Sequence, residues 1–224
     1  MSPDPQESEI KLVLTDEDVS RVQARLGSPQ RTLRQVSHFF ETPQNHLAKA
    51  ELSLRVREER DLASGDEQLL LTVKGMGRRA GALMVRPEIE SQLDPKDWSG
   101  LCEKKIHFAD VDLPPVRKLQ EALGDIRPLE LESMGHIENK REVYNFARDK
   151  MSMEILLDRT SYPDGTDEFE LESELSKAMA GQGARALRAF FDEIGVEWRP
   201  STVGKYVRFR RKINRDPDAA RATE

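Results

Sequence analysis

Cysteine occurs once in the 224 residues, at Cys102. A single cysteine excludes an intrachain disulfide and a thiolate metal cage, and Cys102 reads as structural. No apolar run approaches the roughly 18 residues of a membrane-crossing helix. The start, "MSPDPQ", has neither a basic nor an apolar signal-peptide region. These features predict a cytoplasmic chain with no membrane partner. The phosphate-loop pattern G-K-[ST] and the nucleophile elbow G-x-S-x-G are both missing, which removes two large hydrolase classes. His38, His46, His107 and His136 are scattered without ligand-like spacing and read as structural or surface residues.

Charge is what the chain has in excess. Charged residues make up 34% of it, against about 25% in an ordinary domain. The net charge of −6 argues against duplex nucleic acid as a partner. It leaves room for a small polyanion in a local basic cluster. Apolar runs such as "QLLLTVKG" and "MSMEILLD" predict a folded core.

The punctuation predicts α+β architecture. "EIKLVL" reads as a strand, followed by a helix with Thr15 as N-cap, a Val19, Val22 and Leu26 stripe, and Gly27 as its stop. "LRQVSHFFET", "ELSLRVREER", "EQLLLTVKG" and "GALMVRPEIES" read as strands, with Pro87 marking an edge or bulge in the last. "DPKDW" and "LPPVRKLQEALG" read as helices, the first capped by Asp94 and the second stopped by Gly124. "IRPLELESMGHIENK", "REVYNFARD", "KMSMEILLDRTSY" and "EFELESEL" return to strands, and "SKAMAGQGARALRAFFDEIG" to a long helix. Trp98 and Trp198 are expected to pack outside the sheet. "RFRRK", Arg208 to Lys212, reads as a solvated helix face.

Several of these strands carry charges at alternate positions, hence on one face. Glu7, Glu9 and Lys11 do so, as do Arg55 with Arg57, and Arg86 with Glu88 and Glu90. Glu130 with Glu132, and Glu168 through Glu174, repeat the pattern. Like charges two apart on a strand repel, and a solvent-facing strand does not need them. A divalent cation would relieve the carboxylates and a phosphate chain the guanidiniums. A phosphate chain complexed with metal does both.

These residues resemble the CYTH domain, the triphosphate tunnel metalloenzyme superfamily. "ESEIK" matches its E-x-E-x-K opening, "SLRVRE" its R-x-R strand, "LTVKG" its lysine strand and "RPEIE" its middle acidic strand. "ENKREVY", "LLD", "FELESEL" and "VGKY" follow in the family's order. The resemblance implies a closed antiparallel eight-stranded β-barrel, a tunnel with helices packed outside, over residues 1–212, and a polar tail over 213–224. It implies Mg²⁺ or Mn²⁺ held by Glu7, Glu9, Glu88, Glu90, Asp158, Glu170 and Glu172. It implies phosphates gripped by Lys11, Arg55, Arg57, Lys74, Arg141 and Lys205. A metal-held water on the Glu7 and Glu90 side would attack, and Lys205 or Arg141 would stabilise the leaving phosphate. The implied ligand is a small triphosphate-bearing molecule, and the assembly a monomer or homodimer. A triphosphatase favouring inorganic tripolyphosphate is the leading expectation. Thiamine triphosphatase, an adenylate cyclase of the same fold and a non-catalytic polyphosphate or nucleotide binder stay open. Two positions depart from the family's pattern. Asn139 stands where many members carry a lysine, with Lys140 on the other face. Ser53 stands where the thiamine triphosphatase branch carries a tryptophan.

Overall fold

The computed structural model describes residues 6–148 and 151–213, and for residues 6 and 7 the backbone alone. The strands are β1 (Gln6–Leu14), β2 (Arg31–Glu41), β3 (Ser53–Asp61), β4 (Glu67–Lys74), β5 (Arg78–Ala80), β6 (Leu83–Gln92), β7 (Glu132–Arg148), β8 (Met151–Ser161) and β9 (Asp167–Glu174). The helices are α1 (Asp16–Leu26), α2 (His46–Lys49), α3 (Pro95–Cys102), α4 (Pro114–Leu123), α5 (Ala180–Ile194) and α6 (Lys205–Lys212). In the sheet, β1, β9, β8, β7, β2, β3, β4 and β6 are neighbours in that order, and β1 also pairs with β6. That last pairing closes an eight-stranded antiparallel barrel and removes both sheet edges. β5 is a short addition on β6.

The barrel is inside out relative to a small packed barrel. Ile10, Leu12 and Leu14 point outward from β1 and are buried under Leu187, Phe190 and Phe191 of α5 and Val22 of α1. On the opposite flank, Leu54 and Val56 of β3 and Leu71 and Val73 of β4 pack with Val116 and Leu119 of α4. Each such fully buried side chain stabilises by about 1.5–3 kcal/mol. With the apolar rows turned outward, the charged rows have to face the lumen.

Local chemistry explains the helix ends. Thr15 and Asp18 form a reciprocal capping box on α1, and Gly27 follows with φ +78°. Asp94 caps α3 by accepting from Lys96 N–H, and Pro95 opens the helix. α5 begins only at Ala180 and contains Gly181 and Gly183. Gly183 is there for contact: a Cβ would collide with the Leu175 side chain and lie 3.4 Å from Met151.

Four expectations are corrected. β7 is one 17-residue strand, not two; its "ENKREV" centre is polar on both faces, Asn139 and Arg141 toward the lumen and Glu138 and Lys140 bonded to Arg34 and Glu142 outside it. Glu130 precedes β7 and shares no strand face with Glu132. Cys102 is exposed at the end of α3, so it has no core-packing role. Arg208 and Arg210 are not solvated: both are turned inward from α6 onto acidic or polar groups. The last is an amphipathic-helix effect, since a basic run wraps all sides of a helix and part of it must face the barrel. Pro87 lies inside the barrel wall, where β4 gives way to β5. Its carbonyl accepts from Gly75 N–H, and its absent N–H falls at the break over residues 75–77. Trp98 and Trp198 pack outside the barrel as expected. Apart from Ile213, the tail lies outside the described residues.

Candidate functional site in the barrel lumen

Cross-strand register sets the lumen. Lys11 on β1 stands opposite Glu172 on β9, Asp158 on β8 opposite Glu170, and Arg141 on β7 opposite Asp158. These residues form one ion web. Lys11 Nζ lies 2.9 Å from Glu172 and 3.3 Å from Glu9. Arg141 grips Asp158 with two bonds of 2.8 and 2.7 Å and reaches Glu172 at 2.8 Å. Lys205, the first residue of α6, enters the mouth and contacts Asp158 at 2.7 Å, Glu170 at 3.0 Å and Glu172 at 2.5 Å. Arg86 lies 3.1 Å from Glu9.

A second cluster occupies the opposite wall. Lys74 pairs with Glu88 at 2.5 Å, and Arg55 with Glu90 at 3.3 Å and Thr72 at 3.1 Å. Arg57 differs. Its Nε donates to Ser37 at 3.2 Å, and among the described residues no carboxylate lies within 4.0 Å of it. Arg55 Nε is buried and has no hydrogen-bond partner. Two adjacent guanidiniums therefore keep donors in hand.

The electrostatics follow these contacts. Burial opposes the charge on Glu172, but Lys11, Lys205 and Arg141 outweigh it and hold its pKa well below the usual carboxylate range. Glu170 is held down to about 2: burial pushes its pKa up, and Lys205 and Lys11 more than reverse that. Asp158 is lowered against burial by Arg141 and Lys205. Lys205 and Arg141 are raised, burial notwithstanding, by the same carboxylates. Arg57 moves the other way, down to about 9, through burial first and then repulsion from Arg55 and Arg141. At neutral pH the web carries charges of both signs, and Arg57 carries one that Glu59 and Glu90 offset only in part.

The donor set fits a hard divalent cation. Among the described residues the lumen offers oxygen ligands, carboxylates foremost; His38 and His136 face outward, His38 bonded to Glu58 at 2.7 Å. Glu170 Oε2 is buried with Lys205 and Arg208 at 3.0 and 2.6 Å, yet neither is aligned for a hydrogen bond. That oxygen retains acceptor capacity. Among the described residues no three acidic groups converge on one point, because each is turned toward a lysine or arginine. Metal ligation would require those cations to move onto an anion.

Of the residues expected in the site, Glu9, Lys11, Arg141, Asp158, Glu170, Glu172 and Lys205 come together in the first cluster. Arg55, Lys74, Glu88 and Glu90 form the second, with Arg57 beside it. Glu7 lies in β1 opposite Arg86, and its side chain is outside the described residues. Asn139 is a lumen residue, and Lys140 bonds Glu142 on the outer face. Three further residues went unrecognised in the sequence. Arg208 contacts Glu170 and Glu168, each at 2.6 Å. Ser201, fully buried, donates to Glu170 at 2.8 Å. Arg79 on β5 stands opposite Met84, and Met84 opposite Glu9, so all three lie on the lumen face.

A closed antiparallel barrel with an ionic lumen and an outer coat of helices defines the class. The CYTH domain family model matches residues 5–197, and the chain belongs to that family. No curated protein matches the sequence. Among solved structures, the chain is similar to HpAC1 from Hippeastrum, an adenylyl cyclase candidate described as revealing a dominant triphosphatase activity. The TM-score is 0.78 at 22% identity, covering 92% of this chain and 95% of that one. It is also similar to an adenylate cyclase candidate from Bacillus halodurans, with TM-score 0.66 and 20% identity over 90% of this chain and 95% of that one. PH1819 from Pyrococcus horikoshii OT3 follows, with TM-score 0.53 and 18% identity over 85% and 92%. At these identities the likeness is one of fold. Lys205 and Arg208 lie beyond the family match yet reach into the same lumen.

Proposed function

We propose that the lumen binds a triphosphate and hydrolyses its terminal anhydride bond, with inorganic tripolyphosphate as the favoured substrate. The observation that carries this reading is Arg57: a lumen guanidinium with no anionic partner among the described residues, beside Arg55 with an unused Nε. A phosphate chain supplies the missing acceptors in the forked geometry that arginine prefers. The dominant triphosphatase activity described for HpAC1 is consistent with the same chemistry on this fold.

In this reading Arg55, Arg57 and Lys74 hold the chain from one wall, and Lys11, Arg141 and Lys205 from the other. The carboxylates Glu9, Asp158, Glu170 and Glu172 would hold Mg²⁺ or Mn²⁺, assisted by Glu88 and Glu90. The metal would supply neutralisation of phosphate charge and a polarised water. Glu7 and Glu90 would orient the attacking water and accept its proton. As water adds to the terminal phosphorus, the bridging P–O bond breaks and its electron pair stays on the departing diphosphate. Lys205 or Arg141 would stabilise that charge. Catalysis here is positioning and electrostatics.

The deciding experiment is phosphate release from tripolyphosphate, ATP and thiamine triphosphate with Mg²⁺ or Mn²⁺, with cyclic AMP measured in parallel. Turnover of tripolyphosphate above the others is expected, and Glu172→Gln should abolish it while circular dichroism stays native. Tight binding without turnover of any substrate would make the protein a binder.

A further inference from the structure

Arg57 and Glu59 stand two residues apart on β3, on the same lumen face. Two positions along a strand are about 7 Å, within the reach of an arginine and a glutamate side chain. The other lumen carboxylates described above are each paired with a lysine or arginine. Glu59 is not. Its Oε2 accepts from Gln35 Nε2 at 2.6 Å and its Oε1 from Gln68 Nε2 at 2.6 Å. Gln35 and Gln68 stand directly opposite Glu59 on β2 and β4.

The row continues. Asn139 Nδ2 donates to Gln35 Oε1 at 2.8 Å, and Thr160 Oγ1 donates to Asn139 Oδ1 at 2.8 Å. Five adjacent strands, β4, β3, β2, β7 and β8, each contribute one member. The carboxylate can only accept, so Gln35 must turn its amide nitrogen toward Glu59. That leaves its oxygen for Asn139, whose oxygen is then left for Thr160. Every donor on this side points toward Glu59. Gln35, Asn139 and Thr160 are 1%, 5% and 1% exposed. Their polar atoms have little water to fall back on, so the row is held in place by the cost of breaking it.

We propose that Gln35 and Gln68 are positioning residues that hold Glu59 by both oxygens, prevent it from pairing with Arg57, and so keep Arg57 open for the phosphate chain. This rests on the reading of Arg57 as a phosphate contact. Burial, and after it repulsion from Arg55 and Arg141, outweighs the attraction of Glu59 and Glu90 at Arg57, so its charge is one that an anion in contact would relieve. Without the two amides, the anion nearest along its own strand is Glu59.

The test is calorimetric titration of metal-free protein with tripolyphosphate, so that turnover does not intervene. Gln35→Leu should weaken binding about tenfold, the order expected when a charge-assisted contact is lost to an internal competitor. Adding Glu59→Gln to that variant should return affinity to within about twofold of the native protein, because the competitor is gone. A purely structural role for Gln35 gives no such rescue, and a double variant as weak as the single one overturns the proposal. Gln68→Ala alters an exposed side chain and keeps the test open should the Gln35 variant fail to fold. A crystal structure of either single variant should place Glu59 within 4.0 Å of Arg57; separate side chains would refute the lock whatever the ligand does. Native protein that binds no tripolyphosphate refutes the phosphate reading itself, which is a distinct result from native binding without rescue.

Discussion

Arg57 and Glu170 sit in one lumen under opposite electrostatic conditions. Arg57 has its pKa pushed down to about 9 by burial and by two other guanidiniums, so its charge costs the ligand-free fold stability. The unfolded chain holds that proton to a much higher pH, and the cost is therefore complete at neutral pH and declines only above about pH 9. Arg57→Gln should raise the thermal midpoint of the free protein by about 2–4 °C and weaken tripolyphosphate binding at least tenfold. Scanning calorimetry and titration on one sample read both; a lower midpoint would contradict the account. Glu170 is held down to about 2, against about 4.5 unfolded. Its contribution is complete above about 4.5 and is lost as pH falls toward 2. The urea midpoint of the native protein should thus drop more steeply from pH 5 to 2.5 than that of Glu170→Gln. Alternating charge made Glu9, Glu170 and Arg57 legible in the sequence. Glu59 was not, because "REER" at a strand end resembles an ordinary wet hairpin. Arg208 was hidden for a related reason: its carboxylate partners lie about forty positions away along the chain.

Most helices and strands could be read directly, since caps, glycines and periodicity are local signals. α1 with its Thr15 cap and α3 with Asp94 and Pro95 formed as the sequence indicates. β7 was split in two because its polar centre mimics a turn, and only strands on both sides make it continuous. α6 is the element whose placement the sequence least reveals. Phe209, fully buried, seats the helix on Phe39, Met134 and Ile137, with its ring 3.6 Å from where a Cβ on Gly135 would lie. Gly135 itself has φ +110° beside the register shift at Phe39 and Phe40, a conformation costly for other residues. Gly135→Ala should therefore cost about 1–3 kcal/mol in urea unfolding. Phe209→Ala should speed hydrogen exchange over residues 205–212 while β8 and β9 stay protected, and should raise KM, because Lys205 would lose its anchorage. Unchanged exchange would mean that the ion contacts of Lys205 and Arg208 alone hold the helix.

Closure of the barrel could not be read from local patterns. It depends on β1 pairing with β6 across more than seventy residues, and only the order of motifs along the chain pointed to it. Closure also fixes how ligands should act on stability. Mg²⁺ alone meets carboxylates already satisfied by lysine and arginine, and should move the thermal midpoint by less than about 1 °C. Tripolyphosphate alone should raise it, and the two together should raise it more than the sum, because each frees partners for the other. Differential scanning fluorimetry over a grid of both ligands checks this; strictly additive shifts would show that the two do not share a site.

The turning-out of the apolar rows has one last consequence. The two largest hydrophobic clusters lie under α1 and α5 and under α3 and α4, with the lumen between them. Across that gap the two halves are joined by backbone ladders and by charges that cancel one another. In an ordinary small barrel, interlocked side chains fill the centre and give it rigidity. If the proposed triphosphate and its cations occupy the lumen, that task would pass to them: the ligand would stand in for the keystone, and its release would leave the arch to settle before the next one arrives.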